Sequence, residues 1–236
     1  MASLWRGMSV FALACALAAC VTLPSRQHDD YLARVELFAL LQTLNAELLS
    51  HDSATLTLER WCAAHHLAAD IPTAQARIVA RRIRDAGKAI PDDLRARLEV
   101  GADEPIRYRR VQLVCGEQVL SEADNWYVPG RLTPEMNRQL DTTDEPFGKV
   151  VKALGFQRRT FSAQLLWSPL PPGWEMAAAN AFRDNDRESL HIPRALLRHQ
   201  ANLYTSARVP FSAVVETYTN QLLNFGIWTT RLDREP

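Results

Sequence analysis

Apolar side chains recur at three- and four-residue steps through residues 31–49, at Leu32, Val35, Phe38, Leu41, Leu44 and Leu48, which sets them on one helical face. His51-Asp52-Ser53 breaks the pattern, and Asp52 or Ser53 can cap a second helix over residues 55–68, with Leu58, Trp61 and Cys62 inward. Residues 76–84 (ARIVARRIR) fit either class: Ala and Arg favour a helix, while Ile78, Val79 and Ile83 suit a strand. Pro91 and the two aspartates after it open a turn of helix reaching residue 97. Residues 108–113 and 119–128 then read as two strands joined at Cys115-Gly116-Glu117-Gln118, a hairpin signal. Thr133-Pro134-Glu135 starts a helix to residue 140, and residues 150–154 continue as helix. Residues 161–167 read as a strand, stopped by Ser168-Pro169-Leu170-Pro171-Pro172-Gly173. A polar excursion over 174–191, with one short helix at 176–182, precedes two last strands at 195–204 and 211–218. Helices first, strands grouped after them and tight hairpins between strands predict a single α+β domain, mainly an antiparallel sheet with helices packed on one face.

Composition narrows the classes. The chain of 236 residues is 47% hydrophobic and 23% charged, ordinary for a globular protein, and its 27 basic and 27 acidic residues cancel. No bulk attraction to nucleic acid or to an anionic surface follows. The run Arg77, Arg81, Arg82, Arg84 has no interleaved aromatics and reads as a solvated face rather than a nucleic-acid stripe. There is no P-loop, no G-x-G-x-x-G, no G-x-S-x-G and no paired C-x-x-C. Cys62-Ala-Ala-His65-His66 supplies too few converging ligands for a metal, so neither metal nor cofactor is expected.

Residues 1–19 read as a signal peptide, with Arg6 ahead of an apolar run, and Leu17-Ala18-Ala19-Cys20 resembles the bacterial lipobox. Cys20 would then be lipidated, residues 20–30 would form the lipidated cysteine and tether, and residues 31–236 the domain. Such a domain would sit at the bacterial cell envelope on the periplasmic side, meeting the membrane through its lipid anchor. Cys62 and Cys115 could pair in an oxidising compartment or remain two buried free thiols, the latter being the preferred reading.

Strand alternation puts Tyr108, Arg110, Gln112 and Val114 on one face, and Ser212, Val214, Glu216 and Tyr218 on one face of the last strand. Arg110 and Glu216 are the charged residues in these settings that stand out as candidates. An inter-strand ion pair or a solvated sheet face accounts for them structurally; a site accounts for them chemically.

The run Tyr108-Arg109-Arg110-Val111-Gln112-Leu113-Val114-Cys115, continuing to Val128-Pro129, resembles the bacterial chorismate lyase family. Asp52-Ser53-Ala54-Thr55 resembles that family's helix start, Glu145-Pro146-Phe147-Gly148 its Pro-Leu-Gly segment, and residues 210–218 its terminal strand. The resemblance spans most of residues 52–218 and favours a strand over 76–84. It implies that Arg110 binds the ring carboxylate of chorismate and of 4-hydroxybenzoate, that Glu216 meets the hydroxyl across the ring, and that Ala54 and Phe147 serve through backbone amides and pocket walls. The implied reaction is elimination of pyruvate from chorismate, or from a related enolpyruvyl cyclohexadiene, without metal or cofactor. Asn125 stands where the family carries a basic residue, and Trp126 and Tyr127 bring bulk that would reshape or fill the pocket. The alternative is a lipid-anchored, non-catalytic binding protein for an aromatic carboxylate.

Overall fold

Helix α1 (Arg26–Ser50) buries Ala33, Leu37, Leu41, Leu44 and Leu48, a stripe of three- and four-residue steps. The stripe enters through Ala33 and Leu37 rather than through Leu32, which is exposed, or through Val35 and Phe38, which are half-buried. Phe38 instead meets Trp174 edge-on at 5.5 Å at the border of the core. The computed structural model describes residues 26–68, 77–84, 87–176 and 190–228, leaving aside the side chains of residues 26–30 and 227. The signal segment, Cys20 and most of the tether lie outside the described residues, as does most of the short helix expected over 176–182.

Ser53 caps α2 (Ala54–Ala64), its hydroxyl accepting from the Leu56 N–H at 3.3 Å. The helix stops before residue 68, because His66 takes a left-handed backbone at φ 52°. β1 (Val79–Arg82) is a strand, as the resemblance favours: Ala80 lies opposite Leu113, and its N–H donates to the Asp144 carbonyl at 2.8 Å. The four-residue α3 (Leu94–Arg97) follows. The hairpin comprises β2 (Arg107–Cys115) and β3 (Gln118–Tyr127), with Leu120 as an extra residue where the register shifts between Leu113 and Val114. Thr133 caps α4 (Pro134–Thr142), whose Pro134 occupies the first turn. α5 (Phe147–Val150) runs into a 3-10 turn that ends at Gly155, with φ 55°, and releases β4 (Gln157–Leu165) earlier than the expected 161–167. β5 (Ala195–Tyr204) and β6 (Pro210–Thr219) complete the sheet.

The six strands run in the order β1-β2-β3-β6-β5-β4, and every neighbouring pair is antiparallel. The α+β architecture is therefore the expected one. α1 and α2 cover one face, packing on Val111, Leu113, Ala123, Leu197 and Tyr218. Leu132, Met136, Leu140, Val150 and Val151 extend that cover over Tyr127, Leu203 and Phe211. The short α3 lies on the reverse face, where Leu94 and Leu98 pack on Trp126 and Ala213. Trp126 thus fills a second small core and stays out of the first. Cys62 and Cys115 form a disulfide with Cα atoms 6.5 Å apart, which overturns the preferred reading of two free thiols. Trp61 and Cys62 lie on α2's inward face, and that face delivers Cys62 to the end of β2. Among the described residues no helix is long and apolar enough to cross a membrane.

Candidate functional site

Alternation along β2 turns Arg109 toward the helix-covered face and Arg110 away from it. The register then assembles the site: Arg109 lies opposite Asn125, Asn125 opposite Val214, Ala123 opposite Glu216, and Glu216 opposite His199. The N-terminus of α2 and the start of α5 roof this part of the sheet. Between roof and sheet is a pocket of about 50 Å³, with Arg109 and Asn125 toward β2, Arg158 and Glu216 toward β4, and Ala54, Phe147 and Phe156 above.

The β2 end is a set of donors. Arg109 is 5% exposed, and only its Nη2 has a partner, the Glu145 carbonyl at 3.2 Å. Its Nε and Nη1 are buried with no acceptor. Burial, reinforced by the charge of Arg82, lowers this guanidinium to about 10. Asn125 is equally buried; its Oδ1 accepts from the Ser212 hydroxyl at 2.5 Å, while its Nδ2 has no acceptor. Buried donors without acceptors are costly, and three converge here. An anion or a carbonyl-bearing ligand would satisfy them.

The β4 end is an ion pair. Arg158 Nη2 lies 2.5 Å from Glu216 Oε2, with the two side chains 4% and 8% exposed. The Tyr218 hydroxyl donates to the same Oε2 at 3.1 Å, and Arg158 Nε donates to Thr160 Oγ1 at 3.3 Å. Burial opposes the charge on Arg158, but Glu216 outweighs it and holds the guanidinium above its ordinary value. Burial and then the Glu216 carboxylate push the Tyr218 phenol well up. Next to the pair, His199 is fully buried and drops to about 4, through burial and then the charge of Arg158, against the pull of Glu216. Its Nε2 is hydrogen-bonded to Asn45 Oδ1 at 2.8 Å, which assigns the proton to Nε2 because that oxygen can only accept. The Arg158 N–H also donates to Asp52 Oδ1 at 2.8 Å, tying β4 to the turn before α2.

Of the residues singled out from the sequence, Ala54, Phe147 and Glu216 line the pocket. Arg110 does not: it points to the reverse face, 44% exposed, with Glu122 Oε2 at 3.4 Å. The neighbour Arg109 takes the inner position. Plain alternation explains the exchange: Arg109 shares its strand face with Val111 and Leu113, the apolar side that meets the helices, whereas Arg110 shares its face with Tyr108 and Gln112. Tyr127 packs beside the pocket, its ring 5.5 Å from that of Phe147, without entering the lining. Arg158 and His199 had no sequence signal of their own: His199 is found through its register with Glu216, and Arg158, opposite Leu203 on β5, through its ion pair with that glutamate. Among the described residues no group of three or more His, Cys, Asp or Glu could hold a metal ion.

Fold and pocket together define the class: a single-domain α+β protein whose helices roof a donor-lined pocket on a six-stranded antiparallel sheet. The chain is 52% identical over 194 residues to the uncharacterized protein y4mC of Sinorhizobium fredii (strain NBRC 101917 / NGR234), covering 82% of this chain and 79% of that one, and it belongs to the same family. No protein-family model matches the chain. Similar solved structures include PhnF from Mycobacterium smegmatis, with a TM-score of 0.42, 12% identity and 75% and 67% of the two chains covered. A GntR-family transcriptional regulator from Enterococcus faecalis V583 has a TM-score of 0.38 and 12% identity, covering 63% of this chain and 98% of that one. YydK from Bacillus subtilis subsp. subtilis str. 168 scores 0.38 at 13% identity, and this chain spans 63% of its length.

Proposed function

We propose that this protein is a chorismate-lyase-like binder of a small ring carboxylate, whose acid group rests on Arg109 and Asn125. The observation that carries the reading is the trio of buried nitrogens, Arg109 Nε and Nη1 and Asn125 Nδ2, without acceptors. A carboxylate answers all three, and a guanidinium fork gives it direction as well as charge. The α2 N-terminus at Ala54 and Thr55 favours the same negative group, and Val111, Phe147, Phe156 and Leu203 offer an apolar enclosure for a ring.

Calorimetry with benzoate and 4-hydroxybenzoate tests this. Arg109→Met removes charge-assisted hydrogen bonds of about 1.5–3 kcal/mol and should weaken binding by roughly 10- to 100-fold. Arg110→Ala should leave it intact. Equal affinity in wild type and Arg109→Met would overturn the proposal.

Turnover is the second reading, in which chorismate loses a ring proton, its C–O ether bond breaks, and the electron pair leaves with enolpyruvate. Glu216 would accept from a ring hydroxyl; Arg158 and Tyr218 both engage its Oε2, so Oε1 is the oxygen for that task. The closed ion pair favours holding over proton transfer, because Glu216 Oε2 is already engaged by both Arg158 and the Tyr218 hydroxyl. Pyruvate release from chorismate, measured in the same preparation, decides between the two.

The same proposal sets the protein in the bacterial envelope, anchored through Cys20. Leu17-Ala18-Ala19-Cys20 supports it, and so does the Cys62–Cys115 disulfide, since such bonds persist in oxidising compartments. Fatty-acid labelling that survives Cys20→Ser would rule the anchor out.

A further inference from the structure

The pairing of β1 with β2 ends at Arg82 opposite Val111, with a last hydrogen bond from the Ile83 N–H to the Arg110 carbonyl at 3.0 Å, so Arg107–Arg109 form an edge beyond it. A polar cleft of about 510 Å³ opens there, lined by Arg82, Arg84, Arg109 and Arg110, the ring of Tyr108, and one acid, Asp141. Its volume falls in the range of about 300–1,000 Å³ common for small-molecule sites. Among the described residues, four guanidinium groups against one carboxylate in a chain with no net charge is a local concentration, not a reflection of composition.

Asp141 does not neutralise it. Asp141 Oδ2 pairs with Arg107 at 3.0 Å, and the Asp141 carbonyl accepts from Arg82 at 2.5 Å. Arg110 has a long contact with Glu122, whose other oxygen is held more closely by Arg194 at 2.7 Å. Arg109, buried with two unpartnered nitrogens, lines both this cleft and the inner pocket and so joins the two. Tyr108 is fixed as a wall: its hydroxyl donates to Asp124 Oδ1 at 2.6 Å, and its ring packs 5.3 Å from that of Trp126.

We propose that this edge cleft is a second, outer site for a small soluble anion carrying two or more negative charges, a polycarboxylate or a phosphate ester, held by Arg82, Arg84 and Arg110 with Arg109 at its floor. A single carboxylate satisfies the inner pocket; the outer cleft has charge for more. The proposal stands on the geometry of the cleft and does not require the inner pocket to bind a ring.

Citrate and inorganic pyrophosphate, titrated into the full protein by calorimetry, are the probes. Both should bind, with affinity falling steeply as salt is raised. The double variant Arg84→Gln/Arg110→Gln removes two charged donors and should weaken both probes by about tenfold or more, while benzoate affinity stays as in the wild type. Both positions are surface ones, and Glu122 keeps Arg194 and Gln112 in the variant, so thermal unfolding should not shift. Absence of citrate and pyrophosphate binding, or equal binding in the double variant, overturns the outer site. Failure of benzoate alone leaves it standing and removes the inner-pocket reading instead.

Discussion

Arg109 and Arg110 are the same side chain in adjacent positions, and their surroundings give them opposite work: one is 5% exposed with unpartnered nitrogens, the other half-exposed beside Glu122. Gly148 is decided by a similar local constraint, since a Cβ there would lie 3.3 Å from Ser53 Oγ, the atom that caps α2. Gly148→Val should therefore displace the α2 start and weaken benzoate binding, with stability lowered by about 1–3 kcal/mol as for other overpacked sites; unchanged binding and unfolding would contradict the close approach. His199 makes a prediction in pH. Its folded value of about 4 lies below the ordinary 6.5, so the neutral ring stabilises the fold fully above pH 6.5, and that stability is lost as pH falls from there toward 4. The groups facing it are Arg158, which opposes a positive ring, Glu216, which favours one, Asn45 and Tyr218. Between pH 8 and pH 5 this site alone should remove roughly 2 kcal/mol from the unfolding free energy. Urea unfolding at the two values checks it, and His199→Gln should show a smaller loss; the same loss in both proteins would assign it to other groups.

At the level of elements, the roof over the pocket is held by contacts remote from it. The Cys62–Cys115 disulfide fastens the last turn of α2 to the end of β2, and Glu59 on α2 accepts from Lys149 on α5 at 2.5 Å and from the Ile78 N–H at 3.0 Å. Reducing the disulfide should lower stability by about 2–4 kcal/mol, the usual range for a native bridge. It should also weaken benzoate binding, because Ala54 and Thr55 stand on the freed helix. Unfolding and titration with and without reductant read both effects, and coincident curves would show that the bridge constrains neither. Much of this arrangement is legible in the sequence. The step pattern of α1, the Ser53 cap, the Thr133-Pro134 start of α4 and the alternation of β2 and β6 are local signals, written in adjacent residues. Ala54, Phe147 and Glu216 follow from them and from short family-like motifs. What is not legible depends on relations between strands. Arg109 shares the apolar alternation of Val111 and Leu113, so its inward face is written in β2, but only the pairing of β5 with β6 sets His199 opposite Glu216, and only the docking of β4 on β5 brings the Arg158 side chain to that glutamate. The disulfide is likewise a matter of which helix face meets which strand end, and no spacing between Cys62 and Cys115 encodes that.

For the whole molecule, the size of the inner pocket sets how a ligand must arrive. A cavity of about 150 Å³ is what admits benzene in a protein core, and the inner pocket here is about 50 Å³. A ring carboxylate therefore enters only if the roof yields. Glu59 and Lys149 tether α5, and Tyr127 and Phe211 form the aromatic bed on which Phe147 rests, at 5.5 Å and 6.2 Å between ring centres. Phe147 is half-buried and sits on a helix of four residues, whereas the middle of the pocket's sheet side is formed by β3, β6 and β5, each paired on both edges. The movable wall is thus the segment carrying Phe147, and its displacement precedes the seating of a carboxylate on Arg109. Association with benzoate should be slow against the diffusional ceiling of about 10⁸–10⁹ M⁻¹s⁻¹ for a small molecule, and it should level off with ligand concentration as opening becomes limiting. Phe147→Leu keeps an apolar wall with less bulk, so it should raise the plateau rate severalfold while changing the equilibrium affinity little. Stopped-flow binding followed by tryptophan fluorescence measures both quantities. A rate that rises linearly with benzoate, unaffected by Phe147→Leu, would mean that the pocket already stands open to the ligand.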